Sequence, residues 1–374
     1  MLPLAGIRVL ELAQNLAGPF CGETLARLGA EVVKVERPEG GDDARGWGPP
    51  FLDGAGSTFH NVNGGKRSIV VDLKNPDEVA WLRDYAGTFD VVLQNMRPGA
   101  LDEIGLGAES LRARHPRLIY CSVSAFGPVG PLKDRPGYEP MVQAIAGLFM
   151  VSGNEDSPPF RIGVPTLDVG SGMWATIGIL SALVRRAQTG EGSVVDASLY
   201  ETALTWISGA AASFRLSGEV PKRHPTGSAK LVPFEGFHTQ TGMIVVAAAN
   251  DRLFATLARA LDHPEWATDP RFRTNADRYA HKTELLPAIE AVLTTRPQAE
   301  WLERLERAGV PCAPINTLPD VLAQPQTIAS GILQRVPGLD LDLIALPLRF
   351  DGERPPLAGP TPGLGEHTKE IRDG

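Results

Sequence analysis

The stretch IRVLELAQNLAGPFCGETLARLGAEVVKVE, residues 7–36, decides the fold. IRVLEL (7–12) reads as a short apolar strand, PFCGETLARLG (19–29) as a helix closed by Gly29, and EVVKVE (31–36) as a second strand. An apolar run, a helical period and another apolar run in close succession make a βαβ unit. The alternation continues: DEVAWLRDYAG (77–87) reads as helix and DVVLQN (90–95) as strand, and a helix near 108–114 leads to LIYCSVSAF (118–126). Strands alternating with helices of this length predict a parallel sheet covered by helices. Such sheets bind ligands beyond the carboxyl ends of their strands. Here those ends are Leu12 to Gly18, Glu36-Arg37 and Asn95-Met96-Arg97.

Further along, GVPTLDVGSG (163–172) carries one carboxylate, Asp168, among small and bend-prone residues. MWATIGILSALVRR (173–186) follows as a long helix, with apolar Ile177, Leu180, Leu183 and Val184. Asp168 therefore falls where a strand or loop turns into that helix, and reads either as a helix cap or as a reactive group. GSVVDASLYETALTWI (192–207) is a strand whose Asp196 or Ser198 caps another helix. The chain then becomes polar and rich in Pro and Gly over 216–236. FHTQTGMIVVAAA (237–249) predicts a hairpin turning at Thr241-Gly242, with helices near 250–261, 283–294 and 298–308. We expect a large domain over 1–200, rejoined by the turn-rich tail 326–374, a linker over 201–224, and a small α+β domain over 225–325.

Composition narrows the function. The 374 residues are 43% hydrophobic, enough for two buried cores, and the net charge is −8 with no basic stripe, which argues against nucleic acid. The three cysteines are scattered, and the seven histidines form no HExxH pair, so neither a disulfide framework nor a metal site is expected. The opening MLPLAGIRVLEL lacks a basic leader, and no run reaches 18 uninterrupted apolar residues. A cytoplasmic protein without a membrane partner is the expectation. The first strand–helix loop, AQNLAGPF, has one glycine where G-x-G-x-x-G needs three, which disfavours a nicotinamide cofactor. NGGKRS (63–68) fails as a P-loop because His60 stands at the first glycine position, and no G-x-S-x-G elbow occurs. Arg37, just past the second strand, occupies the place where doubly wound folds read an adenosine ribose phosphate.

Several long motifs together resemble one family. These are LAGIRVLELAQNLAGPFCGETLARLGAEVVKVERPEGGDDAR (4–45), NGGKRSIVVDLKNP (63–76), NMRPGALDEIGLG (95–107), GEGSVVDASLYE (190–201), AGVPCAPINTLPDVLAQPQ (308–326) and GPTPGLGEHT (359–368). In order and spacing they are similar to the family III CoA-transferases, a family that also holds the α-methylacyl-CoA racemases. The resemblance implies a Rossmann-like α/β large domain with a smaller α+β domain, in an interlocked homodimer of two ring-like chains. It implies Asp168 as catalytic nucleophile and coenzyme A as substrate, with no permanently bound cofactor. It further implies that Arg37, Val71, Asp72, Leu73, Lys74, Asn95, Met96 and Arg97 hold coenzyme A, together with Pro136 and Gly137. Leu16, Ala17, Tyr138 and Glu139 would line the thioester end. Acyl-CoA esters, with succinyl-CoA the suggested donor, and carboxylic acids would be the partners.

The racemase branch places a histidine where this chain has Tyr138. A phenol with a pKa of about 10 is a weak general base near neutral pH, so racemisation is the lesser alternative, with a non-catalytic acyl-CoA binder behind it. Formate- and oxalate-type transferases resemble a longer chain with a glycine-rich interdomain loop, here reduced to HPTGSAKLVPF (224–234), which speaks against those acids. A lone carboxylate suits acyl transfer, because covalent catalysis requires one unprotonated, unencumbered nucleophile. At a helix N-terminus the macrodipole would favour that anion by roughly 0.3–1 kcal/mol. A flexible Gly170-Ser171-Gly172 turn could add N–H groups for oxyanions. Glu139 either tunes Asp168 or sits inertly at a helix start. Arg45 is expected to pair with Asp42 and Asp43.

Overall fold

The computed structural model describes residues 1–224, 226–228 and 230–374. They form two compact units, residues 1–148, 161–208 and 326–374 in the first, and 149–160 and 209–325 in the second.

The first unit is built on six parallel strands: β1 (Arg8–Leu12), β2 (Glu31–Glu36), β3 (Arg67–Val70), β4 (Val91–Gln94), β5 (Ile119–Ser124) and β6 (Val194–Ser198). Their order across the sheet is β3-β2-β1-β4-β5-β6. Chain order reverses between β1 and β4, the point at which doubly wound sheets open a crevice for ligands. Alternate residues of each strand serve opposite faces, since the side-chain period in a strand is two. Val9, Val91, Leu93 and Cys121 point to one core, and Leu10, Val33, Val92 and Tyr120 to the other. Both faces are dry over the inner strands, which is why these read as near-continuous apolar runs, while the edge strand β6 is exposed at Val194 and Asp196.

Helices α1 (Ala17–Arg27) and α6 (Thr166–Thr189) cover the first face through Cys21, Leu25, Ala175 and Ile179. The short α2 (Ser57–Asn63) leads into β3. Helices α3 (Pro76–Ala86) and α4 (Ala108–Arg114) cover the second face through Val79, Leu82 and Leu111. α5 (Glu139–Ile145), α7 (Leu199–Trp206) and the returning tail 326–374 also belong to the first unit, with Ser198 accepting from the Glu201 N–H as the cap of α7. Among the described residues α6 alone is long and apolar enough to cross a membrane, but it packs on α1 and the sheet.

The second unit carries an antiparallel sheet of β7 (Phe234–His238), β8 (Met243–Ala247) and β9 (Cys312–Pro314), with β8 central. Helices α9 (Asp251–Ala260), α10 (Asn275–Ala280), α11 (Lys282–Leu293) and α12 (Gln298–Ala308) close over it around Phe237, Ile244, Phe254, Leu285 and Trp301. Two readings of the sequence need correcting. The stretch 201–224, expected as linker, is largely helical, because α7 runs to Trp206 and α8 spans Ser208–Ser217. Its alanines and leucines outweigh the single Gly209, and the Gly and Pro that end the helical stretch come only at Gly218 and Pro221.

The second correction concerns Gly170-Ser171-Gly172, which is no turn: all three residues lie buried inside α6. A Cβ on Gly172 would stand 2.7 Å from the Ala17 carbonyl oxygen and 2.8 Å from Phe20, so this glycine lets α1 and α6 touch backbone to backbone. A Cβ on Gly170 would meet Thr202 at 2.8 Å and Trp206 at 2.9 Å in α7. The glycines bring three helices together, and their N–H groups are spent within the helix. Gly172→Ala should therefore force α1 and α6 apart and cost about 1–3 kcal/mol, read as a lower urea midpoint at unchanged m-value.

Candidate active site

The carboxyl ends of β1 and β4 are joined by one side chain. The Asn95 amide accepts from the Gln14 N–H at 2.8 Å and donates to the Gln14 carbonyl at 2.7 Å, bridging the point where strand order reverses. Gly18 follows in the first turn of α1, where a Cβ would lie 2.4 Å from that of Ala13. Asn15 takes a left-handed backbone, φ +68°, and its N–H donates to the Asp42 carboxylate at 2.9 Å.

That carboxylate belongs to a buried ionic cluster under the loop. The Lys34 ammonium meets Asp42 at 2.8 Å and Glu11 at 3.0 Å, and donates to the Ala13 carbonyl at 2.7 Å. The Lys66 ammonium holds the other Glu11 oxygen at 2.7 Å and donates to the Pro19 carbonyl at 2.9 Å. Burial acts to lower the Lys34 pKa, but Glu11 and Asp42 outweigh it and hold that ammonium above its ordinary range. For Lys66 burial prevails, and its pKa falls. Arg45 does not pair with Asp42 or Asp43 as expected. It forms a two-pronged contact with Glu36 at 2.8 and 2.7 Å and donates to the Pro362 carbonyl, so it fastens the C-terminal tail.

A cleft of about 250 Å³ opens above this floor. It gathers ten of the residues singled out from the sequence: Leu16, Ala17, Asn95, Met96, Arg97, Pro136, Gly137, Tyr138, Glu139 and Asp168. The remaining five lie outside it. Val71 is buried in the core beneath β2 and β3, and Leu73 packs on that core. Asp72 and Lys74 form the turn into α3, with Glu78 accepting from the Asp72 N–H and Asp72 accepting from the Lys74 N–H. The Arg37 guanidinium is half-exposed and bound to Asp43 and to the Glu39 carbonyl.

Asp168 is not the cap of α6. The residue before α6 is Pro165, so Asp168 is the third residue of the helix, and no side chain caps it from the Pro165 position. The cap comes from elsewhere: Glu139 Oε1 accepts the Leu167 N–H at 2.9 Å and the Gln143 amide at 3.1 Å. Glu139 is thus far from inert. Among the described residues no hydrogen bond reaches the Asp168 carboxyl, which leaves both oxygens available. Burial first, and the nearby Glu139 charge second, raise its pKa to about 7, while Arg161 pulls the other way. The expected helix-dipole benefit is real but small. Desolvation and like-charge repulsion overwhelm it.

Sequence reasoning missed Arg161, whose Nη2 stands 3.7 Å from Glu139 Oε2, and Arg135, Asn15 and Trp47, which line the cleft. Asn15 lay within the strand-end segment already noted. Nothing local marks Arg161 in PPFRIG (158–163), since only the docking of α5 beside α6 brings it to Glu139.

Three comparisons complete the picture. The chain matches CoA-transferase family III over residues 4–368. It is 37% identical to a mouse succinyl-CoA:glutarate CoA-transferase over 99% of this chain and 86% of that protein. It is 36% identical to an acetyl-CoA:oxalate CoA-transferase of Acetobacter aceti over 99% of this chain and 95% of the other. A crystal structure of a CAIB/BAIF family protein from Brucella suis superposes with a TM-score of 0.89 at 38% identity, covering 99% of this chain and 98% of that one. Chain length therefore gives no ground against oxalate, contrary to the expectation from the short 224–234 segment.

The cluster beneath the loop carries a prediction. Lys34→Met would leave two buried carboxylates short of a cation and cost about 3–5 kcal/mol. Urea unfolding measures that loss, and faster amide exchange at residues 13–17 should accompany it.

Proposed function

The chain belongs to CoA-transferase family III, and from that premise we propose that it moves CoA from an acyl-CoA to a dicarboxylic acid through covalent intermediates on Asp168. The observation that carries this reading is the Asp168 carboxyl itself, unbonded, part-buried and facing the cleft at the sheet's switch point. The relatives named for glutarate and oxalate support a dicarboxylic acceptor.

The steps balance without any further reactant. An Asp168 oxygen attacks the thioester carbonyl, the C–S bond breaks, and CoA thiolate leaves a mixed anhydride. The thiolate attacks the Asp168 carbonyl carbon, releasing the donor acid and forming an aspartyl-CoA thioester. The acceptor carboxylate displaces the thiolate again, forming a second anhydride. The thiolate then attacks the acceptor's carbonyl, so the new CoA ester departs and the carboxylate is restored. Poor solvation of the Asp168 anion is an advantage here, because an anion without a full hydrogen-bond shell is the stronger nucleophile.

The CoA moiety would run along the carboxyl edge of the sheet. Asn95, Met96 and Arg97 would flank it past β4, and Arg37, with the 71–74 segment, past β2 and β3. Val71 would contribute backbone only, as its side chain is in the core. Leu16, Ala17, Pro136, Gly137 and Tyr138 would enclose the thioester, the Tyr138 ring being two-thirds exposed at the rim. A homodimer fits the exposed Met173, Trp174, Ile177 and Val184 on α6, an apolar face that a partner chain would cover. Its interlocked form rests on the family resemblance alone.

Incubation with succinyl-CoA followed by hydroxylamine should label Asp168, as mapped by peptide mass. Asp168→Ala should lose the label and at least about a thousandfold in transfer rate. Full transfer by this variant would refute the covalent route. Because the nucleophile must be ionised, kcat/KM should rise with pH along a limb near pH 7, the value to which the Asp168 carboxyl is raised. Glu139→Gln removes a like charge and should move that limb to lower pH, as read from pH–rate profiles.

A further inference from the structure

Arg161 adjoins an anchored backbone and its guanidinium is left largely unspent among the described residues. The backbone of the next residue is clamped to α5 by Gln143, a fully buried side chain that accepts from the Ile162 N–H at 3.0 Å and reaches the Ile162 carbonyl at 3.4 Å. Nearly half of the Arg161 side chain is solvent-exposed. Its closest partner among the described residues is Glu139, at a loose 3.7 Å. That same Glu139 already spends its other oxygen on the N-terminus of α6. A guanidinium offers five N–H donors in a planar fork suited to a carboxylate. Here the fork stands behind the cleft-lining Glu139, near enough to Asp168 to lower its pKa, with most of its donors free among the described residues.

Resting on the transferase reading above, we propose that Arg161 is a specificity residue, which pairs with the far carboxylate of a dicarboxylic acceptor while the near one reacts at Asp168. During that half-reaction the near carboxylate oxygen bonds to the Asp168 carbonyl carbon and CoA thiolate leaves. The far carboxylate keeps its charge throughout, and Arg161 neutralises it beside Glu139, where an unpaired second anion would be repelled. A monocarboxylic acid of equal length gains nothing from this contact.

The test compares glutarate with pentanoate as acceptors, using one fixed CoA-ester donor. With a covalent intermediate, the acceptor's kcat/KM reports only the half-reaction it enters. Wild type should prefer glutarate. Measured well above the pH of the Asp168 limb, where that carboxyl is ionised with or without Arg161, Arg161→Gln should cut kcat/KM for glutarate by about ten- to a hundredfold, mainly through KM, and leave pentanoate within about threefold. Arg161→Lys should recover part of the preference. An equal loss for both acids would assign Arg161 only to the field around Asp168 and overturn the proposal, as would an unchanged glutarate preference. Hydroxylamine labelling of Asp168 separates the two levels. A labelled Asp168 with a preference indifferent to Arg161 sinks this inference alone. A wild type that neither labels nor transfers sinks the transferase reading along with it.

Discussion

The cleft depends on four charges buried where no water reaches them. Glu11, Lys34, Asp42 and Lys66 form two ammonium–carboxylate pairs with no net charge, all within the first unit. Each ammonium also donates to a backbone carbonyl, Ala13 for Lys34 and Pro19 for Lys66. The loop that carries Leu16 and Ala17 into the cleft is therefore tied from below at both ends. Such a cluster gives little net stability, since desolvation consumes most of the Coulomb gain. Its effect is geometric, for it holds Asn15 in a left-handed conformation that a free loop would rarely adopt.

A second carboxylate decides the chemistry above. Glu139 caps α6 in place of a local residue, and by doing so it stands close enough to Asp168 to disfavour the anion. One side chain thus couples the packing of α5 on α6 to the protonation of Asp168. Arg161 opposes it with positive charge. The balance leaves the Asp168 pKa raised to about 7, so both protonation states are within reach near neutrality.

The comparisons give the family and the geometry gives the cleft. Similarity over nearly the whole chain establishes the family. The cleft at the reversal of strand order, with Asp168 in it, would single out this region in any doubly wound sheet. Tyr138 stands at the rim of that cleft, two-thirds exposed.

Much was legible in the sequence. Its apolar runs and helical periods marked the parallel strands and the helices between them, since the inner strands are buried on two faces and are mostly apolar, their buried Glu11 and Lys34 being paired with each other. The motif TLDVGSG marked Asp168, and the strand-end segments marked Leu16, Ala17 and Asn95 to Arg97. What the local sequence could not show was anything that depends on contact between distant segments. The glycines after Asp168 read as a turn because glycine favours turns in isolation. Only the approach of α1 and α7 explains them as packing sites. Arg45 read as a partner of adjacent acids, yet Glu36 and the C-terminal tail claim it. Asp168 read as an anion favoured by a helix dipole, and the fold raised its pKa instead, because burial and Glu139 act more strongly than the dipole. Local sequence determines periodicity and residue chemistry. Tertiary structure alone decides which charges share a buried space, and Coulomb interactions there depend on distances that no spacing along the chain encodes.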